Sequence, residues 1–391
     1  MANHRKPPVR VEDLQGFKYF RLLEPFLERL HGHAVDRCGN RQLHYDHYVA
    51  LLLLYFFTPL LDSLRGLQQA SALDKVQRAT GSSRVSLGAL SAAARAFDPA
   101  LLRGIVVELA GQAVPAVTGK EAEALHGLTA VDGTLLAALP RMAWALWRDD
   151  QHKAAKAHLH FDVLKGVPCD ATLTAGSGSE RDQLRQTLQA GRLYVIDRGY
   201  LDYELYRDII AARSSFVARV KENVAYAVER ERPVSAAAAA AGVLRDVVVS
   251  RLGSDHRTDC LWHAVRLVWV ATGKSAADGK PEVLVLCTDR LELAAELVAL
   301  AYKYRWSVEL FFRWLKCILG CRHLLSTSQD GVTIQVYVAL IASLLVSLWT
   351  GKKPTKRTFE MLCFYFSGMA SLDELMAHIE RLHDQPEMDS G

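Results

Sequence analysis

Three acidic residues of the sequence occupy positions that suit catalytic carboxylates. Asp132 and Asp197 each follow a short apolar run, so each is predicted to lie at the carboxyl end of a buried strand. Glu309 differs, because the pattern around it is helical and its neighbours are mostly apolar. A charged group in such surroundings needs an ionic partner or a metal ion. We therefore expect the three carboxylates to converge on one site.

Four residues of the predicted helix around Glu309 share one face: Tyr302, Arg305, Glu309 and Lys316. Their spacing, at about 100° per residue, corresponds to a stripe roughly 60° wide. Arg313 lies close beside this stripe. A simple ion pair between Arg305 and Glu309 would explain part of the pattern, since four-residue spacing favours such pairs. A basic face around a single carboxylate is also what the cutting of a phosphodiester requires.

Phosphoryl transfer is the chemistry that these side chains support. Reaction at phosphorus places negative charge on the attacking, leaving and non-bridging oxygens, and two divalent ions about 3.5–4 Å apart can stabilise both ends. Hard cations such as Mg²⁺ require oxygen ligands, which carboxylates provide together with compensating charge. Two aspartates and a glutamate are therefore a sufficient set for two Mg²⁺ ions per site, and Mn²⁺ is expected to substitute.

The sequence resembles the insertion-sequence DDE transposases, and among them the family-four (IS-four) group. The signature of that group is Tyr, two residues, Arg, three residues, Glu, six residues and Lys, and the stripe that includes Glu309 matches it at every position. The flanking text also matches: Ala130-Val-Asp-Gly-Thr, Val195-Ile-Asp-Arg-Gly-Tyr, Tyr304-Arg-Trp-Ser-Val-Glu-Leu-Phe-Phe and Gly331-Val-Thr-Ile-Gln. The resemblance covers roughly residues 125–350 and is specific.

This resemblance implies an α/β fold with a ribonuclease-H-like catalytic core, interrupted by a β-rich insertion between the second aspartate and the glutamate. It implies a transposase that cuts phosphodiester bonds at the ends of an insertion element and joins the 3′ ends to target DNA, typically through a hairpin intermediate. The expected partners are double-stranded DNA and a second copy of the chain, because two ends must be cut together.

The resemblance also assigns roles to individual residues. The metal ions would be held by Asp132, Asp197 and Glu309. Contacts with DNA are expected from the stripe and from neighbours of the carboxylates: Tyr302, Arg305, Lys316, Arg313, Arg198 and Tyr200. A tryptophan of the insertion would stack on a flipped base, and Trp262 and Trp269 are both candidates.

The hydrophobic pattern divides the chain into five segments. Residues 1–125 have helical spacing and are predicted to form an all-helical, DNA-binding domain that precedes the core. The core is predicted in two parts, 126–222 and 287–350, separated by the β-rich insertion at 223–286. The second part contains the glutamate helix, predicted from Leu291 to about Leu325, and residues 351–391 form a C-terminal helical segment and tail.

Composition restricts the class of protein. A net charge of +4 and a pI of about 8.6 permit a polyanionic partner without requiring one. Seven cysteines with no CxxC pair favour a reducing cytosol and no structural zinc. The apolar stretches 48–61 and 332–349 are short or interrupted by polar residues, so we interpret them as core helices rather than membrane spans. We expect a cytoplasmic protein that joins the bacterial nucleoid when it binds DNA.

Two other classes of function are compatible with the same residues. One is a catalytically silent, transposase-derived DNA-binding regulator, against which the three intact carboxylates argue. The other is a stand-alone ribonuclease-H-like DNA nuclease, which would stop at cut DNA and would not join it to a target.

Overall fold

The computed structural model describes residues 23–31, 43–138, 141–147, 152–254, 260–275, 281–319, 324–352 and 355–384. Before the first strand, the described residues are helical, as their apolar spacing predicts. The helices are α1 (Glu24–His31), α2 (Tyr45–Phe57), α3 (Leu64–Ala70), α4 (Asp74–Thr80), α5 (Leu87–Ala96), α6 (Pro99–Gln112) and α7 (Lys120–Ala124). Polar side chains begin several of them: the Asp98 carboxylate, for example, accepts the Ala100 N–H ahead of α6.

The middle of the chain forms a mixed sheet, which has nine strands in the described residues. The strands are β1 (Leu128–Ala137), β2 (Ala154–Asp162), β3 (Val167–Ala175), β4 (Leu193–Ile196), β5 (Ser215–Val220), β6 (Tyr226–Glu231), β7 (Val243–Leu252), β8 (Val265–Ser275) and β9 (Pro281–Thr288). Their order across the sheet is β3-β2-β1-β4-β5-β9-β8-β7-β6. β1, β4 and β5 are parallel, and the other neighbours pair antiparallel.

The remaining helices connect these strands or follow them. They are α8 (Glu180–Gln186), α9 (Tyr203–Ala211), α10 (Ala236–Ala240), α11 (Ala295–Tyr304), α12 (Trp306–Leu319), α13 (Gln329–Thr350), α14 (Lys356–Ser367) and α15 (Leu372–Asp384). The chain is thus a mixed α/β protein with a helical N-terminal region.

Strand β1 is longer than its parallel neighbour β4. Pairing with β4 covers only Leu128 to Ala130, whereas pairing with β2 continues to Ala137. Asp132 therefore lies inside β1 and not at its end, which corrects the prediction from the apolar run. The antiparallel partner β2 keeps β1 extended past the point where β4 stops. Asp197, in contrast, directly follows the last residue of β4, as predicted.

The strands of the predicted insertion extend the same sheet. β9 pairs antiparallel with β5, and β8, β7 and β6 follow outward in that order. The alanine tract within this segment is helical, forming α10. The boundaries of the five predicted segments stay a prediction.

Both faces of the sheet are covered by helices, and α13 lies at the centre of one side. It packs against α2, α5, α6, α12 and β3. It is apolar and long enough to span a membrane, but 94% of its apolar window is buried inside the protein, as in a core helix. α8 and α9 contribute to the core on the opposite face.

The predicted glutamate helix is two helices. α11 begins at Ala295, and Arg305 separates it from α12. At this junction the backbone bonds tighten to three-residue spacing, because the Arg305 N–H donates to the Tyr302 carbonyl and the Val308 N–H donates to the Arg305 carbonyl. Tyr302 and Arg305 consequently precede the turn that brings Glu309 into position.

A buried ion pair anchors the loop that leads into α11. Arg266 donates two hydrogen bonds to Asp246, at 2.7 and 2.6 Å, and its side chain is 1% exposed. The same guanidinium donates to the Leu293 carbonyl, and Arg232 donates to the Leu291 carbonyl at 2.7 Å. The outer strands of the sheet thereby hold the start of the helix that carries Tyr302.

We expect Asp246→Ala to lower the free energy of unfolding by about 3–5 kcal/mol, because it leaves the Arg266 charge buried without its partner. Glu231→Ala is the matched control, since it breaks the exposed pair with Arg245, whose side chains are 41% and 59% exposed. Its cost should be about 1 kcal/mol or less. Chemical denaturation followed by circular dichroism measures both, and equal losses would contradict the anchoring role.

Candidate active site

Parallel pairing of β1 with β4 brings the two aspartates side by side. Ala130 pairs with Val195, so two residues further along each strand the same register aligns Asp132 with Asp197. Ala130 and Val195 both face the core that contains α11, α12 and α13. Because side chains alternate along a strand, both carboxylates project toward this face. α12 packs against β1 on the same side and carries Glu309.

Backbone donors orient both aspartates. The Gly133 N–H donates to Asp132 Oδ1 at 2.8 Å. Asp197 accepts the Gly199 N–H at 2.7 Å and so caps the 3-10 turn Arg198–Tyr200. Each carboxylate keeps its second oxygen for other partners.

Arg305 links the first aspartate to the glutamate. Its guanidinium donates to Glu309 Oε1 at 2.7 Å and lies 3.8 Å from Asp132 Oδ2. The arginine side chain is 14% exposed, and its Nε has no hydrogen-bond partner among the described residues. The ion pair expected from the four-residue spacing is present, and it reaches across to the sheet as well.

Asp132 is the acid most affected by its surroundings. Burial raises the pKa of its carboxyl group to about 6, although the Gly133 N–H and the Arg305 guanidinium lower it, and the neighbouring Asp197 and Glu180 raise it further. Burial outweighs Arg305, so this carboxylate is not fully compensated by protein cations.

The donor set is suited to a hard divalent cation. Asp132, Asp197 and Glu309 offer carboxylate oxygens, and the raised pKa of Asp132 indicates a need for further positive charge. In the described conformation no group of three or more His, Cys, Asp or Glu side chains of the described residues converges closely enough to hold an ion. Arg305 takes the position between Asp132 and Glu309, so cation binding would require it to shift.

A basic pocket of about 350 Å³ opens beside Asp197. It is lined by Asp197, Arg198, Gly199, Arg219, Lys221, Tyr302 and Arg305. Four of these side chains are cationic and one is anionic. Such a balance favours a phosphate group.

Arg219 and Lys221 are pocket residues that the sequence reasoning missed. They lie at the carboxyl end of β5, which is parallel to β4 and therefore ends at the same edge as Asp197. The alternation of Phe216-Val-Ala-Arg-Val-Lys predicts a strand that ends near these two residues, although it does not predict that they lie beside Asp197.

The other predicted DNA contacts fall into two groups. Arg198, Tyr302 and Arg305 line the basic pocket, while Arg313 and Lys316 are exposed further along α12. Tyr200 does not fit the prediction. It is 1% exposed and packs in the core, so its side chain has no surface to offer to DNA in this arrangement.

The two tryptophan candidates differ in exposure. Trp262 is 71% exposed, and the Arg251 guanidinium lies 5.6 Å from the centre of its ring. Trp269 is half-buried, with its ring 5.8 Å from that of Tyr226 and 4.9 Å from the Arg245 guanidinium. Exposure therefore favours Trp262 for stacking on a base, a role that stays a prediction.

Comparison with protein families identifies the class. A family model described as the transposase DDE domain matches residues 123–345. The matched region is more than half of the chain, and it contains all three carboxylates. The chain belongs to this transposase family, which confirms the resemblance found in the residue pattern.

Three curated relatives are probable or putative transposases, and two of them are named for insertion sequence elements. The chain is 25% identical over 239 residues to a probable transposase of the element IS5377 from Geobacillus stearothermophilus, covering 60% of each chain. It is 28% identical over 242 residues to the putative transposase y4zB of Sinorhizobium fredii, covering 61% of this chain and 65% of the relative. A putative transposase of the element IS4SA from Synechocystis is 21% identical over 286 residues, covering 68% and 72%. The similarity thus spans somewhat less than two thirds of the first two relatives.

Among solved structures, a piggyBac transposase in a synaptic complex with hairpin DNA aligns with a TM-score of 0.45 and 12% identity. The alignment covers 92% of this chain and 79% of that chain.

The raised pKa of Asp132 predicts a pH-dependent stability in the absence of divalent metal. The Asp132 carboxyl has its usual pKa in the unfolded chain and a pKa of about 6 in the folded protein. Folding therefore favours the protonated form, and the stability that this proton contributes is lost as the pH rises through 6. Asp132→Asn should therefore be more stable than the wild type at pH 8, by about 1–3 kcal/mol. The difference should shrink at pH 5, as measured by denaturation in EDTA. A difference independent of pH would show that Asp132 is not a perturbed acid.

Proposed function

We propose that this protein is a DNA transposase that cuts phosphodiester bonds at the ends of an insertion element and joins the 3′ ends to target DNA. The catalytic unit would be a ribonuclease-H-like core. The sheet order β3-β2-β1-β4-β5, with β2 antiparallel to β1 and three parallel strands following, supports this assignment. Family membership and the insertion-sequence relatives support the choice of substrate class.

The observation that carries the proposal is the shared edge where the acids and the basic pocket meet. Asp132 in β1 lies level with Asp197, which follows β4, and Arg305 links Asp132 to Glu309. The pocket beside Asp197 is strongly basic. Phosphodiester cleavage requires carboxylates that bind metal ions and basic side chains that bind the phosphate, and here the two sets lie side by side.

The catalytic residues would be Asp132, Asp197 and Glu309, which would hold two Mg²⁺ or Mn²⁺ ions. When bound, such ions activate the attacking hydroxyl and stabilise charge on the leaving oxygen. The aspartates are already oriented by Gly133 and Gly199 N–H groups, so little reorganisation of these two side chains is needed.

Arg305 has two sets of possible partners in this proposal. It bonds to Glu309 and approaches Asp132, yet it also lines the phosphate pocket with Tyr302. Arg305 would give up its bond to Glu309 when the carboxylates hold a cation, and it would donate instead to a phosphate in the pocket. The DNA backbone would then be held by Arg305 together with Arg198, Arg219 and Lys221.

Binding of the element ends would involve residues beyond the pocket. The helical region before β1 would recognise them, and Trp262 would stack on a base drawn from the duplex. Lys316 and Arg313 would extend the contact along α12. Two copies of the chain would act together on paired ends in the bacterial cytoplasm.

Cleavage of labelled DNA that carries the ends of the native element tests the reaction. The wild-type protein should cut at the element boundary with Mg²⁺ or Mn²⁺, and Glu309→Gln should reduce the rate by about 100-fold or more, because it removes a cation ligand. Glu296→Gln, in the first turn of α11, is the matched control and should cut normally.

The products separate this function from its alternatives. Joining of 3′ ends to a second DNA identifies a transposase, and hairpin-ended DNA identifies the intermediate typical of the resembled group. Cut DNA that is never joined would identify a nuclease instead, and binding without cutting in any divalent metal would identify a regulator. Equal cutting by wild type and Glu309→Gln would remove Glu309 from the active site.

The basic pocket predicts a salt-dependent contribution to DNA affinity. Arg219→Ala should weaken binding to the same DNA and reduce the slope of log affinity against log salt concentration by about 1, as expected for one lost phosphate contact. Arg213→Ala is the control, because Arg213 is exposed and precedes β5, so it lies at the opposite edge of the sheet from Lys221 and Asp197. Fluorescence anisotropy at several salt concentrations measures both, and identical slopes would rule out the phosphate contact.

A further inference from the structure

A fourth carboxylate, that of Glu180, reaches the site from the opposite face of the sheet. Glu180 is the first residue of α8, which packs on the face away from α12. A Cβ atom added to Gly133 would lie 2.8 Å from Glu180 Oε1, so the glutamate lies directly over the backbone that follows Asp132. The absence of a side chain at Gly133 creates the gap that Glu180 enters.

Lys156 holds Glu180 in this gap. The Lys156 ammonium lies 3.3 Å from Glu180 Oε1 and donates to the Gly178 carbonyl at 3.1 Å. The two side chains are 17% and 30% exposed, so both are partly buried. Glu180 is thereby held as a second negative charge near Asp132, where like charges repel.

Tyr200 provides an independent sign that something binds here. Its hydroxyl group is buried and has no hydrogen-bond partner among the described residues. Burial raises the pKa of this hydroxyl group well above its usual value, and the carboxylates of Glu180, Asp132 and Asp197 raise it further. A buried hydroxyl without a partner costs about 1–3 kcal/mol, and in native proteins it commonly indicates a bound water or ion.

We propose that Glu180 is a positioning residue of the active site, which acts through the gap at Gly133 and a water held by the Tyr200 hydroxyl to keep Asp132 oriented for a divalent cation. This inference rests on the proposed function. Glu180 supplies negative charge beside Asp132 without contacting the DNA. Its closeness to Asp132 is tolerable because the cation compensates both groups.

Binding of Mn²⁺ to the full-length protein without DNA, followed by electron paramagnetic resonance, tests the inference without relying on activity. Glu180→Gln keeps the shape and removes the charge, and it should weaken Mn²⁺ binding about 10-fold, the lower range for groups that support metal ligands. Glu180→Asp keeps the charge and should recover part of the loss. Asp182→Asn, two residues further in α8 and 61% exposed, is the control and should bind as the wild type does.

Two further variants distinguish a role of Glu180 in positioning Asp132 from a general loss of stability. Gly133→Ala should weaken Mn²⁺ binding by displacing Glu180, but should have no further effect in a Glu180→Ala background, where the clash is absent. Tyr200→Phe should weaken Mn²⁺ binding without raising the thermal unfolding midpoint. If it instead raises the midpoint and leaves Mn²⁺ binding unchanged, the hydroxyl holds no functional water and the inference is wrong.

The outcomes distinguish this inference from the proposed function. If Asp132→Asn and Glu309→Gln abolish Mn²⁺ binding while Glu180→Gln binds like the wild type, Glu180 has no positioning role and the cation site stands. If the wild type binds no more Mn²⁺ than Asp132→Asn and Glu309→Gln do, the cation site itself fails and Glu180 has nothing to position.

Discussion

The burial of neighbouring carboxylates is the constraint that organises this site. Parallel register between β1 and β4 aligns Asp132 with Asp197, and both project toward the same face of the sheet. Two partly buried negative charges at adjacent positions need compensation, or one of them takes up a proton. Arg305 supplies part of that compensation, yet burial still raises the pKa of Asp132 to about 6. The β1–β4 pairing and Arg305 keep these acids together despite the free-energy cost of burying them.

Placement of the third acid depends on how α12 is held. Phe311 packs with its ring 5.2 Å from that of Phe161 on β2, and the Trp314 indole donates to the Thr355 carbonyl at 3.3 Å. α13 supports α12 from within the core, and it also contacts α2, α5 and α6 of the N-terminal region. The helical region and the edge that carries the three carboxylates therefore share one hydrophobic core, so a change in the packing of the helical region can reach Glu309.

Several features of the fold followed from local pattern, and several did not. Residues 193–196 form a strand and are followed by Asp197, as the apolar run predicted. The apolar run before Asp132 also predicted a strand, but it did not predict that pairing with β2 extends this strand beyond Asp132. β5 was missed, although its carboxyl end carries Arg219. Tyr200 was expected at the DNA because it follows Asp197, whereas it is buried in the core.

By itself the sequence determined the kind of chemistry, because residue types and their spacing are local properties. Two strand-associated aspartates and a Tyr-Arg-Glu-Lys stripe identified the transposase family, which the family match to residues 123–345 confirms. Tertiary structure alone decided which side chains meet, because contacts between β1, β4, β5 and α8 depend on strand register and on which face each helix covers. Pairing places Arg219 beside Asp197, and the gap at Gly133 admits Glu180 from a helix on the other face. No short-range pattern encodes either contact, since each joins residues from separate strands and helices.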